Sequence, residues 1–300
     1  MAFNISTLPN YVDQTSKTLL VDTVFGSQTA DVLKGAESSV TLGVKGTVAL
    51  QLMSTDIALQ TNTGCGRNPV GDTTFAQAYI SVVPLKDEQN FCPKPLENKW
   101  TVQYLTKGQT YTEALFANEI MAARAAKIAE ANEQLMWKGD TVAQSGNTAL
   151  NKFDGFIKQL ATGSISLSGA TGATVVEKLQ NAFIGMPTKV TAQSDVVMFI
   201  GTDVFNEYNV ALANKNIFKS TDDKILFGTT IKLVPVDGLN GTRKVYVGRL
   251  RSFQMATDLM GEEDKATMNY SIETQNIYMD FHWALGVKAI YVSEVGVATV

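Results

Sequence analysis

A single uninterrupted helical run, from about Thr112 to Lys138, constrains this chain more than any other feature. Thr110 followed by Glu113 fits a capping box, in which each side chain satisfies a backbone donor left free at the helix start. Leu115, Ile120, Ile128, Ala131 and Leu135 mark an apolar stripe among alanine-rich helix formers, and Gly139 supplies a residue suited to the left-handed C′ position. About 27 residues at ~1.5 Å each make a rod near 40 Å long, well beyond the mean globular helix. A rod of that length serves as a scaffold.

The rest of the chain is organised on either side of it. Residues 1–85 carry ten charges against nineteen Ser and Thr, so something other than water is expected to cover them. The opening, up to about Gly46, lacks sustained periodicity and reads as an extended arm. Thr47 to Gln60 fits a strand, with Val48, Leu50 and Leu52 alternating, or a helix, with Ala49, Leu50, Met53 and Ile57 on one face. Asn62 to Asp72 is dense in turn residues and Phe75 to Leu85 is rich in strand formers, so residues 47–85 read together as a long hairpin. Between Ala161 and Thr174, twelve of fourteen residues are Ala, Gly, Ser or Thr, the composition of a flexible connection between two substructures. Beyond it the pattern predicts a helix over Val175–Ile184, a buried strand over Asp195–Ile200, and a helix from Thr202 to about Asn214. Ile231–Val236 and Lys244–Val247 flank Asp237–Gly241, whose glycines suit a tight reversal between antiparallel strands. β stretches at Met268–Met279 and Gly286–Val300 close the chain, giving an α+β class with mostly antiparallel sheet.

Composition narrows the function classes. With 45% apolar and 18% charged residues and a mean hydropathy of +0.00, the chain is neither a disordered acidic segment nor membrane-embedded. A net charge of −4 argues against a broad phosphate-neutralising face, while leaving open a container for nucleic acid. Its longest apolar run, Val196–Ile200, is far short of the ~20 residues of a membrane span, and Met1–Gln14 has no secretory pattern, so a cytoplasmic product is expected.

Chemistry is sparse. The single histidine, His282, sits in a strand-like Phe-His-Trp and reads as structural. There is no GxSxG, no HExxH and no phosphate loop, and Gly64-x-Gly66 puts Pro69 where a dinucleotide loop needs its third glycine. Glu262-Glu263-Asp264 and Asp222-Asp223 lack calcium-loop spacing and read as solvated loops. Arg249 and Arg251 fall at strand spacing, suited to phosphate or to a carboxylate at an interface. Thr202, Asp203 and Arg249 are the nearest approach to an active site, without a histidine, a metal set or a phosphate loop. Met255, Met260, Met268 and Met279 read as adaptable filler. Cys65 and Cys92 have no metal partners at ligand spacing, and a disulfide between them would close a 28-residue loop. No residue is therefore assigned a catalytic, cofactor-binding or metal-binding role.

The helix ends in Leu135-Met136-Trp137-Lys138-Gly139-Asp140, followed after a short loop by Phe153-Asp154-Gly155-Phe156. This order resembles the major capsid proteins of tailed bacteriophages that share the HK97 fold. Met186-Pro187, the strand-to-helix step Ile200-Gly-Thr-Asp-Val-Phe205, Ile272-Glu-Thr-Gln275 and Trp283–Tyr291 are also similar, so the likeness covers about residues 110–300. It implies an N-arm over 1–46, an E-loop hairpin over 47–85, a P-domain over 86–161 and 256–300 with its spine helix at 112–138, and an A-domain over 162–255. Residues 86–108 depart from the pattern by interposing an extra segment before the spine helix.

The implied function is that of a non-enzymatic shell protein. It would self-assemble into pentamers and hexamers of an icosahedral virion capsid around phage double-stranded DNA, held without sequence specificity. The alternative is an encapsulin-like bacterial compartment. Implied partners are further copies, a portal, and separate scaffolding or decoration proteins, with assembly in the host cytoplasm and no membrane. The residues assigned to assembly are Trp137, Lys138, Gly139, Asp140, Asp154 and Gly155 at the helix end and Leu50, Tyr79 and Val82 in the hairpin. Lys45 or Lys86 could donate an inter-subunit cross-link of the kind some members form, but no acceptor is identified and none is expected.

Overall fold

The computed structural model describes residues 27–36, 39–61, 69–92, 113–147, 149–167, 172–215, 224–258 and 266–300. The capping pair at Thr110, the acidic runs at 222–223 and 262–264, Met260 and Cys65 lie outside them; Cys92 is exposed.

Helix α1 (Gln28–Lys34) falls inside the segment expected to be an extended arm, and it is anchored rather than extended: Thr29, Ala30 and Leu33 are buried. Strand β1 (Val40–Thr41) follows, and β2 (Thr47–Thr55) then pairs antiparallel with β3 (Thr73–Ser81). The ambiguous run from Thr47 is thus a strand, because alternation delivers Val48, Leu50 and Leu52 to one face. The strand expected over Phe75–Leu85 is two: the hairpin closes at Ser81, and β4 (Val83–Phe91) leaves it to pair elsewhere.

The long helix is α2 (Glu113–Lys138). Ile128 and Leu135 of the expected stripe are buried with Met121 and Ala125, whereas Ala131 is exposed. After α3 (Phe156–Gln159) come β5 (Ile165–Ser166), α4 (Val175–Ile184), α5 (Thr188–Thr191), β6 (Val196–Gly201) and α6 (Thr202–Asn214). Thr174 caps α4 by accepting from Glu177 N, the first half of a capping box. Strands β7 (Lys232–Val236), β8 (Lys244–Arg249), β9 (Phe253–Thr257), β10 (Ala266–Ser271), β11 (Asn276–Ala289) and β12 (Gly296–Thr299) complete the chain.

The described residues form three sheets. In the first, β1, β9, β11 and β10 lie in that order, and β4 pairs along β11 from Leu285↔Val83 to Ile277↔Phe91. The second has the order β5-β12-β8-β6-β7, and the third is the β2–β3 hairpin. The expected reversal between β7 and β8 does not form a hairpin. Strand β6 lies between them, parallel to β7 and antiparallel to β8, and Asp237–Leu239 is a turn of 3₁₀ helix. Glycine spacing identified the turn, but not that a central strand would occupy the gap.

Alternation then builds two cores from one sheet. Val197, Phe199, Val234, Val236 and Tyr246 face a cluster shared with α2, β9 and β11. Met198, Ile200, Leu233, Val245 and Val247 face the other way, into a cluster under α4 and α6. Along β11, Ile277, Met279, Phe281, Trp283, Leu285 and Val287 all join the first core, so His282 between them is left exposed. Met255 and Met279 are core residues.

Candidate assembly surface

The end of α2 is a rigid joint. Trp137 is fully buried, its ring centroid 5.3 Å from Phe156, Phe199 and Tyr246 and 6.3 Å from Phe253. The indole Nε1 donates to Thr29 Oγ1 at 2.7 Å, and Thr29 in turn donates from Oγ1 and from its backbone N to the two oxygens of Glu133 at 2.5 and 2.9 Å. One polar chain thus ties α1 to α2 inside the core. Burial pushes the Glu133 carboxyl above its ordinary value, against the pull of the Thr29 and Trp137 hydrogen bonds. Sequence reasoning missed Glu133 and Thr29. A carboxylate one helical turn before a core tryptophan is a readable signal, but Thr29 lies 104 positions away.

Lys138 donates to Asn240 O at 2.8 Å, tying the helix end to the turn after β7. Gly139 does not have the positive φ expected of a left-handed cap. Its requirement is close approach: a Cβ there would stand 2.5 Å from Leu135 O and nearer still to Phe153 O. Gly155 is alike, with Trp137 O and Met136 O at 2.6 and 2.7 Å from its would-be Cβ, and its N donates to Gly139 O at 2.8 Å. The two glycines therefore let the returning chain lie directly against the helix terminus. Gly139→Ala should destabilise the folded chain by about 2 kcal/mol through overpacking, read as a lower urea midpoint with unchanged m value.

Asp140 and Asp154 share one cation. Lys158 Nζ donates to Asp140 Oδ1 at 2.8 Å and to Asp154 Oδ1 at 2.9 Å, while Asp140 Oδ1 also accepts from the Ala143 and Val142 backbones and Asp154 Oδ1 from Thr141. The Lys158 hydrogen bond and then those backbone donors hold the Asp140 carboxyl at about 2, against an ordinary 3.8. At Asp154 partial burial acts upward but is outweighed by Lys158 and Thr141, leaving it below the ordinary value. A depressed carboxylate contributes stability above its unfolded pKa and loses it as pH falls through the folded one. Asp140→Asn should therefore be less stable than the parent at pH 7, and the difference in urea midpoint should vanish between about pH 4 and pH 2.

The hairpin has two ends of opposite character. At its root Ile80 is fully buried with Val44 and Ala256, and Val48, Leu50 and Val82 pack against them. Val82 N donates to Gly46 O and Val44 N to Thr257 O, so this end belongs to the subunit's own core. Of the residues assigned to assembly, Leu50 and Val82 thus pack at this end within their own subunit. The other face and the far end are bare: Tyr79 is 58% exposed, Met53 62% and Phe75 75%, with Met53 directly opposite Phe75 in the ladder. Beyond them Ile57 and Leu59 are also exposed. A two-stranded ribbon is marginal in water, and this one presents apolar side chains without a cover.

Thr202, Asp203 and Arg249 are not brought together, since Arg249 pairs with Val196 at the start of β6 and Thr202 follows its end. Thr202 donates to Asp237, Asp203 accepts from Gly241 N, and Arg249 pairs with Asp195 at 2.9 Å. Arg251 pairs with Glu294 at 2.7 Å and lies over the Tyr291 ring, so both arginines meet carboxylates of their own chain. Among the described residues no group of three His, Cys, Asp or Glu is placed to hold a metal, and no helix is long and apolar enough to cross a membrane.

No protein-family model matches the sequence, and no curated protein matches it. Solved structures do match. The satellite phage P4 procapsid, which includes a size determination protein, superposes with a TM-score of 0.58 at 11% identity over 94% of this chain and 89% of that one. The cyanophage A-1(L) capsid asymmetric unit gives 0.58 at 13% identity, over 90% and 91%. The capsid of an empty GTA particle gives 0.53 at 11% identity, over 86% of each chain. At such identities the likeness is one of architecture, and the chain has the HK97-like α+β fold of phage capsid subunits.

Proposed function

We propose that this chain is a major capsid protein, a non-enzymatic subunit that assembles with its own copies into pentamers and hexamers of an icosahedral shell around phage double-stranded DNA. The observation that carries the reading is the hairpin, fixed to its own subunit at the root and apolar without cover at its far end, in a chain with a phage-capsid fold. A neighbouring copy is the natural cover for such a surface. In this reading Thr47–Ser81 is the E-loop, and α2 with the first sheet is the P-domain. The second sheet with α4 and α6 is the A-domain, and the residues before Gly46 form the N-arm. The joint at Trp137, Lys138, Gly139, Asp140, Asp154 and Gly155 fixes the end of the spine helix against the two larger sheets. The portal and any scaffolding or decoration protein are separate partners of the same reading.

Negative-stain micrographs and size-exclusion chromatography of the purified chain test it. Hexamers and closed shells are the expected result, and a stable monomer under assembly conditions overturns it. Nuclease-protected DNA inside shells from infected cells is expected; cargo protein in its place would indicate an encapsulin-like compartment.

A further inference from the structure

A groove of about 460 Å³ runs between α2 and the first sheet. Among the described residues its rim carries Lys86, Arg124, Lys127 and Lys152, and the single acid in its lining, Asp87, is held by Arg124 in a two-pronged bond. Among the described residues Lys86 and Lys127 pair only with exposed Glu88 and Glu130, contacts of little energetic weight, and Lys152 has no ionic partner. The floor is apolar, made by Ile128, Leu135 and Trp283, each less than 10% exposed. Trp283 Nε1 is buried and has no hydrogen-bond acceptor among the described residues. Four cations around an apolar floor beside an unpaired indole N–H, in a chain of net charge −4, call for an acidic guest with apolar side chains.

We propose that this groove receives the acidic segment Asp258–Lys265 of a second copy of the chain, an inference that rests on the self-assembling reading above. The segment DLMGEEDK holds the sequence's only run of three consecutive acids, Glu262-Glu263-Asp264, and the apolar pair Leu259-Met260. Its charge is opposite to the rim and its leucine and methionine suit the floor. The contact is between copies because of where the segment departs. Asp258 accepts from Ala284 N beside the β9 edge of β11, whereas the groove is lined along β4, on β11's other edge. A nucleic-acid duplex is the weaker candidate, since phosphates are met by cations on an open face and here they ring a cleft.

A charge-swap experiment tests it. One variant carries Lys127→Glu and Lys152→Glu, a second carries Glu262→Lys and Glu263→Lys, and both are checked for folding by circular dichroism. Each alone should lose more than about tenfold in shell yield from like-charge repulsion, and the two co-expressed should recover shells containing both chains in equal amount. Either variant assembling as the parent does would overturn the proposal while leaving the capsid reading intact. So would recovery in a chain carrying all four changes but not in the mixture, because the contact would then lie within one chain. If the parent itself forms no shells, the capsid reading fails. The groove is then judged by a fluorescein-labelled DLMGEEDK peptide: binding lost with Lys127→Glu/Lys152→Glu supports it, and no binding, or binding of a short DNA duplex instead, overturns it.

Discussion

Trp137→Ala should cost about 3–5 kcal/mol of folding stability, the range for truncating a fully buried tryptophan. Three further losses make the upper end of that range the expected one. The indole touches four rings drawn from α3, β6, β8 and β9, so its removal empties the point where helix and both sheets meet. Thr29 Oγ1 loses its donor and keeps only its own hydrogen bond to Glu133. Gly238 is packed so closely that a Cβ there would overlap the indole, so the backbone is shaped around this side chain and cannot collapse inward without moving the turn. Chemical denaturation of the dissociated subunit gives the number. A loss below about 1 kcal/mol would mean that the cavity refills and that the joint is softer than its packing indicates.

Met53→Asp with Phe75→Asp should do the reverse, leaving the subunit folded while shells fail to form. Both side chains are mostly exposed, so the subunit's own stability should move by no more than about 0.5 kcal/mol, as for other surface substitutions. If a neighbouring copy covers the hairpin as proposed, the pair would place two carboxylates directly across the ladder in that contact, each without a partner. Thermal melting of the subunit and electron microscopy of the assembly reaction separate the two effects. A charged variant that unfolds would show that the far end of the hairpin is needed by its own subunit. Leu50 and Val82 do not offer so clean a test, since they pack on the subunit's own Ile80 and Ala256.

Much of this architecture was legible in the residues, for identifiable reasons. Long periodic segments declare themselves, which is why α2, α4 and α6 lie where apolar spacing puts them. Local order failed where pairing is decided at long range: β6 is readable as a buried strand over Asp195–Ile200, but β7 and β8 look like a hairpin until β6 is inserted between them, and no local signal announces that insertion. Helix α1 was missed because seven residues offer too few turns to establish a period, and its stability comes from Leu33 and Thr29 meeting a core built by residues a hundred positions away. Gly139 was identified for the wrong physical reason. The sequence marks a glycine at the helix end, and only coordinates separate a left-handed turn from two backbones in contact. Of the joint, Trp137 through Asp140 and Asp154-Gly155 were readable as a pattern. Lys158, which bridges the two aspartates, was not, although its place four residues after Asp154 on the first turn of a helix is a recognisable spacing.

The sheet formed by β6, β7, β8 and β12 has a cooperative consequence. Because its strands are dry on both faces, it is a party wall: neither core can open without stripping one side of strands that the other core still needs. The two halves of the subunit cannot trade one ordered state for another independently, and a displacement imposed on the α2 side is felt under α4 and α6 as a shift of the same backbone. A shell tiled from such parts would behave less like hinged plates than like a continuous stiff skin, with its compliance confined to the projecting hairpins and the seams between copies.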